Sequence, residues 1–274
     1  MRRLDEPPVD AERVYNELLS TRHTATRKRL QNAGELVLEC YQRYLDAAGD
    51  VTGLTPMTAP SSTRAVLRTN YTHFKESGHP ARAAILQANP GGVCPSCGHR
   101  TAATLDHYLP RSHFPEFSVF PLNLVPACYE CNQIKETNYR DNGVAIYLHA
   151  YFDYVSERHQ FLFAKVDVID GVITARFYVR PPDSVDAVLQ ERIKTHFKRL
   201  ELAKLYVLIG ANEMGERLGA LRSLKRPRAQ PDAIARYLVQ EATSIARSRG
   251  PNYWKFALLA GMWENEDVRH GEFI

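Results

Sequence analysis

Two Cys-x-x-Cys pairs, Cys94-Pro-Ser-Cys97 and Cys128-Tyr-Glu-Cys131, constrain this chain more than any other feature. Two such knuckles supply the four thiolates of one tetrahedral zinc site, and four thiolates leave no coordination position open. The implied zinc is therefore structural. Only residues 98–127 separate the pairs. A module of that size is too small for an adequate core of its own, so the metal replaces one. A zinc ribbon without catalysis meets the same cysteine pattern. It gives no reason for what lies between and just after the knuckles: Asp106-His107-Tyr-Leu-Pro110-Arg111-Ser112, then Asn123, then Asn132-Gln-Ile-Lys135.

Taken together, Cys-x-x-Cys, Asp-His with a following Pro-Arg-Ser, Asn-Leu, and Cys-x-x-Cys-Asn-x-x-Lys resemble the HNH endonuclease superfamily in its zinc-stapled form. The third position is Asn instead of His, a variant that some members carry. The likeness covers residues 93–139, about one-sixth of the chain. It implies a ββα-metal (His-Me finger) module and a metal-dependent endonuclease. The implied reaction is hydrolysis of DNA to 5′-phosphate and 3′-hydroxyl ends. Cleavage of RNA, or nicking of duplex, is the alternative within the class. A non-catalytic zinc module that binds nucleic acid or a partner protein is the alternative outside it. A weaker, whole-chain likeness is to HNH proteins of bacterial anti-phage defence. Some of those work beside an ATPase, which makes an ATPase a further expected partner.

Roles follow from the resemblance and from donor chemistry. His107 is the expected general base, because a neutral imidazole near its ordinary pKa of ~6.5 can take a proton from water. His99 and His113 lie off the pattern; His113 is the next candidate. Asp106 and Asn132 present hard oxygen donors, suited to a second, catalytic Mg²⁺ or Mn²⁺. Against this, Asp106 could be a turn carboxylate and Asn132 a helix N-cap. Asn123 is expected to tie its loop together and orient the catalytic histidine. Arg111 and Lys135 are candidate phosphate contacts, with solvent exposure as the plain alternative.

The remaining sequence reads as mainly helical α+β. Residues 1–90 form an N-terminal helical region, 91–142 the zinc/nuclease module, and 143–274 a hairpin with a C-terminal helical region. Leu30, Ala33, Val37, Cys40 and Tyr44 recur at helical spacing, which places Cys40 in a core stripe instead of a metal site. Breakers run from Gly49 to Pro60. A second helix is expected over 61–76, capped by Ser61 or Ser62, and a third over 80–88. Strand alternation on either side of Asp170-Gly171 predicts one β-hairpin over 162–179. Asp183-Ser184 is expected to cap the next helix, whose apolar face is Val185, Leu189, Ile193, Phe197 and Leu200. Pro231-Asp232 starts another, and 251–263 is expected to be the last.

A net charge of +4 permits nucleic-acid binding without requiring it. Basic clusters at Arg27-Lys28-Arg29, Lys198-Arg199 and Lys225-Arg226-Pro-Arg228 are further candidate phosphate contacts. Each alone reads as solvated surface. No apolar run approaches the ~18 residues needed to cross a membrane, and no apolar signal core follows the N-terminus. Four of the five cysteines fall in the pairs, which suits metal binding in a reducing compartment. The expectation is a cytoplasmic protein with no membrane partner.

Overall fold

The apolar stripe from Leu30 to Tyr44 is buried along one face of a single helix, α2 (Thr24–Asp46), in a computed structural model of the protein. The structure describes residues 2–47, 50–155, 159–225 and 232–273. Gly49, Arg226, Arg228 and Pro231, named above, lie outside them. The chain divides into two compact units, Arg3–Tyr154 and Val155–Ile274 with Met1–Arg2. Among the described residues, no helix is long and apolar enough to cross a membrane.

In the first unit, α1 (Ala11–Ser20) begins at Asp10, whose carboxylate accepts the Arg13 amide at 2.6 Å. Helix α3 (Ser61–Glu76) buries Thr63, Leu67, Asn70 and Phe74. Its expected serine cap is not found: Pro60 holds the cap position, and Ser61 and Ser62 lie inside the first turn. Pro60 has an extended ψ of 145°, and helix begins directly after it. Helix α4 (Pro80–Gln87) follows.

Strands β1 (Thr104–His107) and β2 (Leu124–Ala127) pair antiparallel, with Asp106 opposite Val125 and His107 opposite Leu124. Helix α5 (Tyr129–Lys135) comes straight after β2. The long β1–β2 connection has its own aromatic core. Phe117 and Phe120 pack on Tyr44 of α2, with ring centroids 5.0 and 5.1 Å away, and Phe120 stacks on Tyr41 at 4.3 Å. The cysteine-bearing segment thus leans on a hydrophobic wall supplied by α2, and metal need not replace its whole core. Cys40 is fully buried within that wall, where it accepts from the Arg43 guanidinium at 2.9 Å.

A second, very short hairpin, β3 (Arg140–Asp141) with β4 (Val144–Ala145), adds to the one expected. Asn142 and Gly143 form its turn, with φ of 50° and 84°. Asn-Gly is the usual solution to two successive positive-φ positions.

The second unit holds the predicted hairpin, β5 (Leu162–Ile169) and β6 (Val172–Val179). Asp170 and Gly171 take φ of 51° and 76° at its turn, as a tight primed turn requires. Ala164, Val166, Ala175 and Phe177 face the core, while Ile169 and Val172 at the tip are exposed. Helix α6 (Ala187–Arg199) is capped by Asp186, which accepts the Leu189 amide at 2.9 Å, and not by Asp183 or Ser184. Ile193, Phe197 and Leu200 are buried as expected, but Val185 and Leu189 are only half-buried. Helices α7 (Leu202–Leu224), α8 (Ala233–Arg249) and α9 (Trp254–Glu264) complete the core. The expected final helix is followed by one more, α10 (Glu266–His270), because Asn265 restarts the chain by capping the Val268 amide.

Candidate metal centre and cleft

The four paired cysteines meet. Their sulfurs all lie within 4.8 Å of one another, and all four residues are buried. A ZnS₄ tetrahedron with Zn–S of about 2.3 Å has edges of about 3.8 Å, so the cluster is close to the size the ion requires. Local geometry explains the convergence. The first knuckle turns through Gly98 at φ 62°, and Gly98 N–H donates to the Cys94 carbonyl at 2.8 Å. The second opens α5, with Cys128 as N-cap and its sulfur accepting the Cys131 amide at 3.4 Å. Cys97 is held far below the ordinary thiol range by the hydrogen bonds it accepts from Cys128 and Cys131. Cys131 is held far above it as the matching donor toward Cys128. Four buried thiolates cannot coexist without a cation, and zinc is the ion this donor set fits.

Next to this cluster, one cleft of about 670 Å³ opens between α3, α4, the end of β1 and the start of α5. It is lined by Asp106, His107, Arg111 and Asn132, and by residues of α3 that carry no recognisable motif.

His107 sits at the last position of β1. Its Nε2 lies 2.9 Å from the Ser118 carbonyl, which can only accept, so Nε2 carries the proton and Nδ1 is left as the acceptor. The Tyr71 ring meets the imidazole edge-on at 4.4 Å, and Tyr71 Oη donates to the Leu105 carbonyl at 3.1 Å. Burial pushes the His107 pKa down to about 3, so the ring is neutral at physiological pH. The neighbouring carboxyl of Asp106 is raised by the same burial, partly offset by Lys135.

Lys135 is not in solvent. Its ammonium lies 3.2 Å from Asp106 Oδ2 and donates to the His107 carbonyl at 2.6 Å. Asn132, one turn into α5, is not an N-cap; Cys128 is. Its amide donates to Thr104 Oγ1 at 3.2 Å. Asn132 and Lys135 therefore clip one face of α5 to Thr104 and Asp106 of β1.

Asn123 has no exposed surface and uses both ends of its amide. Oδ1 accepts from the Leu109 amide at 2.8 Å and from Tyr44 Oη at 3.2 Å. Nδ2 donates to the carbonyls of Leu109 at 3.0 Å and Phe117 at 3.2 Å. It locks the loop that leaves β1 directly after His107. His149, from outside the module, extends this network. Its Nδ1 accepts the Tyr151 amide, which leaves Nε2 to donate to Tyr44 Oη at 3.0 Å.

Arg111 bonds to the Arg68 carbonyl and lies over the Tyr71 ring, 5.2 Å from its centroid. His113 and His99 are exposed and do not line the cleft. Nor do the described residues of the basic clusters. Arg27 turns back onto the carbonyls of Ser20 and Arg22, Lys198 and Arg199 are exposed on α6, and Lys225 bonds to the Gly271 carbonyl. The cleft residues on α3, which motif and charge-cluster reasoning pass over, do carry a sequence signal. Arg68, Tyr71, Thr72 and Lys75 recur at helical spacing as a polar stripe flanking the buried row of Leu67, Asn70 and Phe74.

No family model matches the chain, and no solved structure matches it. Over 213 residues the chain is 28% identical to Protein ea31 of Escherichia phage lambda, across 73% of this chain and 71% of that protein. That name states no activity.

Proposed function

We propose that this protein is a metal-dependent endonuclease of the HNH type, hydrolysing phosphodiester bonds in DNA. One observation carries the reading: a neutral, oriented imidazole and a part-buried carboxylate adjoin each other in one cleft rimmed by cations that, among the described residues, hold no acid. A zinc scaffold needs none of these.

His107 acts as general base. Its Nε2–H is committed to the Ser118 carbonyl, which fixes the ring and leaves Nδ1 to take the proton of the attacking water. The depressed pKa keeps that nitrogen unprotonated at neutral pH. Asn123 positions His107 by closing the loop that begins one residue later.

Asp106 and Asn132 would hold a Mg²⁺ or Mn²⁺ ion. Their donor oxygens are hard, they line the cleft, and two protein oxygens leave the other positions of the ion's shell to water and substrate. Such an ion supplies charge neutralisation at the scissile phosphate and leaving oxygen. An ion held there would share the Asp106 carboxylate with the Lys135 ammonium or displace it. Lys135 balances that carboxylate, and Arg111 is the nearer candidate for a phosphate. A host-defence setting, with an ATPase partner, is part of the proposal on the strength of sequence likeness alone.

Incubation of the zinc-loaded chain with plasmid, linear DNA and RNA, with Mg²⁺, Mn²⁺ or neither, tests it. Cleavage should require added divalent metal and fall by ~10²–10⁴-fold in His107→Ala with zinc content unchanged. No cleavage of any substrate, or a fully active His107→Ala, refutes the assignment.

A further inference from the structure

The cleft has a wall that the nuclease motif does not supply. It is the exposed face of α3, where Arg68, Tyr71, Thr72 and Lys75 line the opening, joined by Arg82 of α4 and by Arg111. The four cations on this lining outnumber its two carboxylates, Asp106 and Glu136, and Asp106 is already paired with Lys135. No carboxylate forms an ion pair with Arg68, Lys75, Arg82 or Arg111 among the described residues. Some cations elsewhere do hold acids: Lys255 and Arg217 share Glu213, and Arg13 holds Glu17. A group of cations left without acids around one concavity is an electrostatic footprint for an anion.

The spacing narrows the anion. Arg68 and Lys75 are seven residues apart on one helix face, about 10.5 Å along the axis at 1.5 Å per residue. Consecutive phosphates of a nucleic-acid strand lie closer together than that, so the two cations reach different phosphates of one strand. Tyr71 lies between them and carries the Arg111 guanidinium on its ring face, pointing this polar row toward the end of the cleft that holds His107.

We infer that the α3 face is a phosphate-binding wall, which holds neighbouring backbone phosphates of one nucleic-acid strand beside the reaction centre. This rests on the nuclease reading for the position of the scissile bond, but not for the binding itself. The wall reads backbone charge, not bases, so it sets affinity and register without sequence preference.

The test uses the full zinc-loaded chain carrying His107→Ala, without added divalent metal, so that binding is measured without cutting. Fluorescence anisotropy with labelled random-sequence DNA, single-stranded and duplex, is recorded over a salt series. Arg68→Gln and Lys75→Gln each remove one exposed charge that, among the described residues, holds no side-chain hydrogen bond or ion pair, which leaves the fold intact. Each should weaken binding on the order of tenfold and reduce the slope of log K against log salt by about 0.7–0.9. Lys194→Gln, an exposed cation of the other unit, should change neither. Unchanged affinity and slope in both cleft variants overturn the inference. So does competition by polyglutamate that equals DNA at matched charge, which would assign the wall to an acidic protein. If the binding losses appear as expected while the wild-type chain cuts no nucleic acid with any metal, the wall stands and the nuclease assignment falls.

Discussion

Replacing Asn123 with alanine should be among the most damaging single changes in this protein, although it removes no metal ligand and little apolar surface. The side chain is fully buried and makes four hydrogen bonds, to Leu109 N–H, Leu109 C=O, Phe117 C=O and Tyr44 Oη. A buried hydrogen bond contributes about 1 kcal/mol net, and leaving a buried partner orphaned costs about 1–3 kcal/mol. Tyr44 Oη keeps the bond from His149 and the Phe117 carbonyl keeps that from the Phe120 amide, so the Leu109 N–H and C=O are the backbone groups truly orphaned. The expected loss is about 4 kcal/mol, a shift of roughly 8–16 °C in the melting transition of this unit. Urea denaturation of the zinc-loaded protein, with zinc measured in parallel, provides the assay. Tyr44→Phe calibrates it: that change removes the 3.2 Å contact to the amide and the 3.0 Å bond from His149 Nε2, and should cost about 2 kcal/mol. Asn123→Asp should be as harmful as alanine, since it places a carboxylate oxygen against two carbonyls. If Asn123→Ala lies within about 1 kcal/mol of wild type, the loop is not held by this amide, and the positioning role assigned to it for His107 fails with it.

Three further outcomes concern the metal, a buried acid and a close helix contact. Purified protein should contain one zinc per chain, and Cys97→Ala or strong chelation should unfold Arg3–Tyr154, because structural zinc contributes on the order of 10 kcal/mol; an intact, metal-free fold would contradict this. Glu116 is buried with Oε1 on the Met57 amide and a pKa raised chiefly by burial. A raised carboxyl pKa means its contribution is full below about pH 4.3 and is lost as pH rises through the folded value. Glu116→Gln should therefore raise thermal stability at pH 7 relative to wild type and lose that advantage near about pH 4; the opposite trend refutes the sign. In the other unit, a Cβ on Gly261 of α9 would stand 2.4 Å from the Ala164 carbonyl of β5. Gly261→Ala should destabilise by about 1–3 kcal/mol despite its better helix propensity, and calorimetry showing stabilisation would mean that the helix can move off the hairpin.

Whatever depends on near neighbours and on donor chemistry can be read directly from the amino-acid order. Cys-x-x-Cys spacing makes each half of a metal site within four residues, so the cluster of Cys94, Cys97, Cys128 and Cys131 is legible in the chain itself. The stripe through Leu30 and Tyr44 dictates which face of α2 is buried, and Asp170-Gly171 sets the register of β5 with β6. Helix ends are less legible. Asp183 and Asp186 are equally good caps in composition, and only the path of the chain chooses between them. The Asn142-Gly143 turn is readable, but its strands are two residues long and carry no alternation to flag them. Contacts that cross long sequence distances exist only in the folded chain. Nothing local ties Tyr44 and His149 to Asn123, places the ammonium of Lys135 on Asp106, or sets Tyr71 on the edge of His107. The stripe of Arg68, Tyr71, Thr72 and Lys75 looks in sequence like an ordinary solvated helix face. It becomes the wall of a cleft only because Leu67 and Phe74, on the adjoining face of α3, are drawn into the core and hold that helix against the end of β1.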